Sequence, residues 1–274
     1  MNIQWFPGHM AKAIREAEQN LKIVDAVIYV LDSRAVRACI NSHFLNLIGN
    51  KPVLYVLNKA DLADQKNNKE WVQHLSSNGN LAVSVIATKS GGARVIIPEI
   101  KKLVSNQIQK WQKKGINYIP KVMVAGIPNT GKSSIINSLC GAGRTKTGNR
   151  PGVTRGKQWV RVDNIIDMLD TPGVLAPKLD DMDLAKHLAY IGSIKDDILD
   201  VVELSREFLM EMNNRFKDNL IKRYGNNTET LEDIAKSRGY LIKGGELDIE
   251  RTAVAVLDDF RSGRLGNISL EQPS

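Results

Sequence analysis

The sequence predicts an α/β protein: a mainly parallel sheet with flanking helices, followed by a C-terminal all-helical domain. Three observations carry that expectation. Short apolar runs rich in Val and Ile recur through the first 176 residues, as expected of strands buried on both faces. Helical segments separate those runs, the alternation of a doubly covered parallel sheet. After Pro177 the strand-like runs stop, and apolar residues recur at helical spacing. The division expected is therefore 1–176 and 177–274.

The elements follow in chain order. Residues 10–22 place Ala13, Ala17 and Leu21 on one helical face. VDAVIYVLD (24–32), PVLYVLN (52–58) and LAVSVIA (81–87) read as buried strands. A helix is expected from Pro98 to about Lys113. KVMVAG (121–126) is a fourth strand that runs into a glycine-containing loop, and a fifth ends in IIDMLDTPG (165–173). Segments 182–194, 199–223, 229–237 and 248–262 are expected helices, broken by Gly225, Gly239 and the Gly244–Gly245 pair. In parallel sheets the ligand sits at the carboxyl ends of the strands.

The chain of 274 residues carries a net charge of +8, unevenly spread. Residues 1–176 hold 24 basic and 11 acidic side chains, whereas 177–274 hold 14 basic and 19 acidic. From Ile100 to Val162 there are 13 Lys or Arg and no Asp or Glu. Such a block suits a polyanion, most simply nucleic acid; a solvated basic face would look the same in composition. No apolar run reaches the roughly 18 residues a membrane span needs. The N-terminus lacks the pattern of a signal peptide. Cys39 and Cys140 are far apart and have no metal-site spacing. A reduced, cytoplasmic, monomeric protein is expected.

GIPNTGKS (Gly126–Ser133) fits the G-x-x-x-x-G-K-[ST] phosphate loop, with an apolar strand before it and an apolar helix after it. Gly126 and Gly131 let backbone N–H groups wrap around phosphates. Lys132 supplies positive charge to the β- and γ-phosphates, and the Ser133 hydroxyl a ligand for Mg2+. Asn129, Thr130 and Ser134 complete the candidate phosphate contacts, and the helix that starts here aims its positive end at them. DTPG (170–173) ends a strand, where Asp170 can hold the Mg2+ as a Walker-B carboxylate does. The Gly173 N–H can sense the γ-phosphate. Thr154, in NRPGVTRG, is the expected switch-loop ligand of the metal, with Thr147 as its competitor.

NKAD (58–61) directly follows the second strand. The Asp61 carboxylate can accept both N1–H and the 2-amino group of guanine, donors that adenine lacks. Asn58 flanks it in the motif, and Lys59 can pack along the loop and the ring. ATK (Ala87, Thr88, Lys89) can add a backbone N–H to the base. Together these motifs indicate GTP. The guanine motifs precede the phosphate motifs, which reverses the order of ordinary small GTPases. The expected fold is therefore a P-loop GTPase fold, circularly permuted.

This order, with QWFPGHMAKA at the start, DSR at 32–34, Asn41, GIPNTGKSSIIN, TGNRPGVTRGKQW, LDTPGVLAPK and GGELDIERTAVAVLDDFRSGRLG (244–266), resembles the YlqF/RbgA family of bacterial ribosome biogenesis GTPases over essentially the whole chain. The resemblance implies a GTPase of late large-subunit assembly that binds the immature particle and rRNA with GTP and leaves after hydrolysis. It also implies stimulation by the ribosome. Val174 stands where many GTPases carry a water-orienting Gln, and the resemblance points to His9 as its substitute; from the residues alone, anchoring of the WFPGH segment is the favoured role of His9. Asn129 matches the asparagine that permits K+-stimulated hydrolysis in related GTPases, while an amide bonded to its own loop is the alternative. Departures from the family pattern are Ala35 and Val36, then Arg37, Ala38 and Cys39, and the Ala87–Thr88 start of the last guanine motif. The four tryptophans are expected to anchor packing, and His43, His74 and His187 have no metal spacing. The competing readings are a signalling or scaffold GTPase with a protein effector and a GTP-binding module without turnover.

Overall fold

A computed structural model of the chain describes residues 7–77, 79–140, 158–171, 173 and 181–273, with side chains from Ile14 onward. Six strands are described: β1 Ala26–Asp32, β2 Val53–Asn58, β3 Leu81–Ser84, β4 Lys121–Ala125, β5 Gln158–Val162 and β6 Ile166–Asp170. They form one sheet in the order β3-β2-β1-β4-β6-β5. All neighbours are parallel except β5 and β6.

Alternation along the strands feeds two cores. In β1, Val27, Tyr29 and Leu31 face one side, while Ala26, Ile28 and Val30 face the other. Every residue of β1 and β2 is buried, which is why both strands read as unbroken apolar runs. Ile28, Leu31, Leu54 and Leu57 are fully buried, and each contributes roughly 1.5–3 kcal/mol relative to exposure. Helices Ile96–Leu103 and Lys132–Cys140 supply Ile96, Ile100, Ile135 and Ile136 to the second core. The first core extends from the sheet into the helical C-terminal half, including Leu188, Phe208, Met212 and Leu257. In that half, rings of Tyr190, Phe208 and Phe260 meet at centroid distances of 5.0 and 5.1 Å.

Three expectations need correction. The strand expected at 81–87 ends at Ser84. The helix expected over 98–113 is two helices, Ile96–Leu103 and Ser105–Gln112, meeting at Val104. The segment 199–223 likewise divides into Val201–Arg215 and Lys217–Tyr224 around Phe216. One strand, β5, was not expected: QWVRV is short, and its partner is the hairpin neighbour β6.

The register aligns the carboxyl ends of the central strands. Asp32 at the end of β1 pairs with Asn58 at the end of β2, and Val124 near the end of β4 pairs with Asp170 at the end of β6. The candidate motifs therefore converge on one edge of the sheet. Counting strands from β4 and wrapping β1–β3 to the end gives the order 2-3-1-4-5-6. One cut and one join thus interconvert a base-first and a phosphate-first chain without moving a strand.

Candidate nucleotide site

The loop Gly126–Gly131 connects β4 to the helix Lys132–Cys140. Gly126 (φ +144°) and Gly131 (φ +92°) occupy backbone conformations that L side chains rarely adopt. A Cβ on Gly126 would lie 2.4 Å from the Val30 carbonyl oxygen, and one on Gly131 would lie 2.2 Å from Asn58 Nδ2. The loop is therefore pressed against both β1 and the NKAD turn. A Cβ on Gly173 would meet Pro128 N at 2.6 Å, so Gly173 also lies directly against the loop.

At the phosphate end, Lys132 is buried and its ammonium donates to the Ile127 carbonyl at 2.8 Å. Burial pushes it down to about 8, against the attraction of Asp170. The Ser133 hydroxyl donates to Asp170 Oδ2 at 3.3 Å. Asp170 Oδ1 is buried and has no hydrogen-bond partner among the described residues. Burial raises this carboxyl, with Lys132 and Ser133 pulling the other way. A buried carboxylate oxygen left unpaired is costly, and with the hydroxyl beside it the pair offers two of the oxygen donors a hard divalent cation takes. Ser133 and Asp170 thus fit Mg2+. Thr130 is fully buried, its hydroxyl bonded to the Ile127 carbonyl, and Ser134 sits in the first helical turn.

At the base end, Asn58 is a clamp. Its Nδ2 donates to the Thr130 carbonyl at 2.8 Å, and its Oδ1 accepts the Ala87 N–H at 3.1 Å. One side chain thus ties the phosphate loop to the ATK turn. Lys59 adopts the left-handed region (φ +59°), a conformation that costs a non-glycine residue about 1 kcal/mol or more. It is held there by its ammonium, which donates to the Asn129 carbonyl at 2.7 Å and pairs with Asp32 at 2.9 Å. Burial lowers Lys59, with Asp32 opposing. Asp61, Thr88 and Lys89 are exposed, Ala87 is buried, and Asp61 lies in the short turn Ala60–Leu62.

Asp32 and Arg34, noticed in the sequence only as part of DSR, belong to this site. The Arg34 guanidinium is 1% exposed and donates through Nε and Nη2 to the two Asp32 oxygens at 2.9 and 2.8 Å. Burial alone would raise the Asp32 carboxyl, but Arg34 and Lys59 outweigh it and hold the group well below the usual carboxylate range. The available signal was two opposite charges at the end of an apolar strand, since neither can be buried alone.

Asn129 (φ +61°) does not bond its own loop through its side chain. Its amide nitrogen donates to the carbonyls of Ile191 and Gly192 at 3.4 and 3.3 Å. Ser193 donates to the Pro128 carbonyl at 2.8 Å beside it. His9 lies in the helix Pro7–Leu21, but its side chain is outside the described residues, as are Thr154, Thr147 and Val174. Trp71 is buried as expected, whereas Trp159 is 41% exposed on β5. His187 sits between Glu271 (2.8 Å) and Glu211 (3.4 Å). Burial works against its charge, yet these two carboxylates push it up to about 9. Among the described residues there is no further His, Cys, Asp and Glu cluster able to hold a metal, and no helix is long and apolar enough to cross a membrane.

A phosphate loop at the end of a central strand, an Asn-Lys-x-Asp turn locked to it and a DTPG carboxylate beside it make this domain a P-loop GTPase, with its base-recognition strands first in the chain. A family model described as 50S ribosome-binding GTPase matches residues 121–236. Ribosome biogenesis GTPase A of Bacillus cereus is 39% identical, over 100% of this chain and 95% of that protein. Its Thermotoga maritima counterpart is 34% identical, over 99% and 95%. The crystal structure of GNP-bound YlqF from T. maritima superposes with a TM-score of 0.65 at 28% identity, covering 96% of this chain and 99% of that one. The chain belongs to the ribosome biogenesis GTPase A family.

Proposed function

We propose that this protein binds the assembling large ribosomal subunit and its rRNA in the GTP- and Mg2+-bound state and leaves when GTP is hydrolysed. The observation that carries the reading is the wiring of the site. The phosphate loop is bonded directly to the helical half at Asn129 and Pro128, so a change at the nucleotide reaches a second surface without an intervening element. The sequence affinity to ribosome biogenesis GTPase A supplies the particle. Charge supports an RNA partner: Lys101, Lys102, Lys110, Lys113 and Lys114 are all exposed within the stretch that has no acidic residue.

In this reading Asp61 selects guanine, assisted by Asn58, Lys59 and the Ala87–Lys89 turn. Lys132, Thr130, Gly131 and Ser134 hold the phosphates, and Gly173 reads the γ-phosphate. Mg2+ supplies charge neutralisation on the phosphates, held by Ser133, Asp170 and Thr154. His9 positions the attacking water, a role an imidazole can fill near neutral pH. A K+ ion beside Asn129 adds positive charge; the Asn129 amide nitrogen is engaged by the helical half, which leaves Oδ1 as the cation ligand. The protein works as a cytoplasmic monomer.

The test is GTP turnover in potassium buffer with and without purified large subunits, for wild type and His9→Ala. Strong stimulation that His9→Ala abolishes is expected. No stimulation would leave GTP binding standing and remove the ribosome as activator, which favours a protein effector docked on the helical half.

A further inference from the structure

The bonds that fix Lys59 do not end at Asp32. Arg34 spends its remaining guanidinium nitrogen, Nη1, on the carbonyls of Phe260 (3.3 Å) and Arg261 (3.1 Å), at the end of the helix Ile249–Arg261. Its guanidinium also lies 5.0 Å over the Phe260 ring. The Arg261 side chain in turn donates to the carbonyls of Ala189 and Tyr190 at 2.8 and 3.0 Å, and pairs with Asp196. The next two residues along the chain are Ile191 and Gly192, whose carbonyls receive the Asn129 amide. The contacts close a ring. It leaves the phosphate loop at the Asn129 carbonyl, runs through Lys59, Asp32 and Arg34 to the last helix, and returns through Arg261 to the Asn129 side chain.

We infer that Arg34 is a positioning residue for the guanine nucleotide, and that through this ring the seating of the last helix and the occupation of the base site are linked. The chemistry of each link supports it. Arg34 serves one carboxylate in a fork and two carbonyls with the third nitrogen, a pattern no lysine reproduces. The ring is buried at Asp32 and Arg34, where polar networks act as units and half-made ones are costly. The Lys59 ammonium ties its left-handed turn to Asp32 and to the Asn129 carbonyl, so loosening Asp32 removes one of the bonds that position the motif proposed to contact the base. The segment after the last helix adds a second bond line to the same place: Ile268 donates to the Leu62 carbonyl (3.0 Å) and Leu270 to the Arg34 carbonyl (2.8 Å). Linkage is reciprocal: nucleotide steadies the helix, and the helix steadies nucleotide. A contact that shifts the last helix would thereby change nucleotide affinity without touching the switch loops.

The inference rests on the assignment of the base site to Asn58–Asp61. Hydrogen exchange of the full chain, with and without GDP, is read over residues 249–271, alongside titration with fluorescent GDP and ADP. In wild type GDP slows exchange there by about 5- to 150-fold, the usual span of coupling between sites. Arg34→Lys removes that slowing and weakens GDP by a factor in the same range. A merely structural role for Arg34 would raise exchange equally with and without GDP. Exchange in wild type that ignores GDP overturns the inference, as does an Arg34→Lys protein that keeps both the slowing and the affinity. Should Arg34→Lys not fold, Arg261→Lys cuts the ring on its other side and the wild-type comparison still decides. Equal affinity for ADP and GDP in wild type would instead overturn the base-site assignment.

Discussion

The two ends of the nucleotide site are finished to different degrees by the protein itself. At the base end, Asn58 uses both of its side-chain polar atoms on neighbouring loops. Asp32 receives Arg34 and Lys59 together. At the phosphate end, among the described residues, Lys132 bonds a carbonyl of its own loop, the Ser133–Asp170 bond is long, and one Asp170 oxygen has no partner. The base end is thus part of the fold, whereas the phosphate end holds groups whose bonding the ligand completes. The same chemical change made at both ends should therefore have opposite effects.

Asp32→Asn is the largest of these tests. It removes the carboxylate between the buried Arg34 guanidinium and the partly exposed Lys59 ammonium and leaves the buried charge uncompensated, which costs about 3–5 kcal/mol. Urea unfolding without nucleotide should show that loss. A loss below 1 kcal/mol would mean that the base end is no better bonded than the phosphate end. In acid the linkage runs in the same sense. Because the folded Asp32 titrates below its unfolded range, its contribution is fully present at neutral pH and is lost progressively as pH falls from the ordinary carboxylate range down to that depressed value. The raised Asp170 protonates earlier on the way down, so Mg2+-dependent binding should fade while the fold persists.

Lys132→Ala comes next. Its ammonium contributes one bond to a loop carbonyl in the free protein but faces the phosphates in the proposed complex. Turnover should fall by about 10²–10³, the scale for loss of one preorganised donor to developing charge, while urea unfolding of the free protein barely moves. A large stability loss would show that this lysine too is part of the fold.

What the sequence made legible follows the same divide. GIPNTGKS, NKAD and DTPG are contiguous, so each could be read as a string, and Gly126 and Gly131 of the first occupy backbone conformations that other residues rarely adopt. Unbroken apolar runs placed β1, β2 and β4 because both faces of these strands are buried. The ring was not legible: Arg34 meets carbonyls 226 and 227 residues away, and only the folded chain brings them together. The antiparallel β5 escaped because its five residues, QWVRV, include two polar side chains and bury only Val160 and Val162. The break at Val104 escaped because neither Gly nor Pro marks it. Trp159 was read as a packing anchor on residue type alone, yet the edge strand leaves it exposed.

A smaller effect concerns pH. In the free protein Lys132 titrates at about 8 because it is buried. Bound phosphates require the ammonium, so above that value binding must take up a proton. Affinity for GDP should be flat from pH 7 to about 8 and then fall, approaching tenfold per pH unit. Titrations with fluorescent GDP up to pH 9 measure this slope, and Lys132→Arg, which stays charged, should flatten it. A flat wild-type profile would mean that the phosphate end is already paired before the ligand arrives.

The smallest expected effect is the most discriminating in sign. Asp170→Asn removes a buried charge that the folded protein disfavours, as the upward direction of its titration shows. The free protein should therefore gain up to about 1 kcal/mol, the scale of relieving one unsatisfied buried group. It should also lose most of the thermal stabilisation that GDP with Mg2+ confers on wild type, since bound ligand stabilises only in proportion to its affinity. Thermal unfolding of Asp170→Asn with and without GDP and Mg2+ measures both terms. If Asp170→Asn is destabilised like Asp32→Asn, the unpaired oxygen already has a partner in the free protein, and the contrast between the two ends collapses. If it is stabilised but keeps its response to Mg2+, another carboxylate holds the metal.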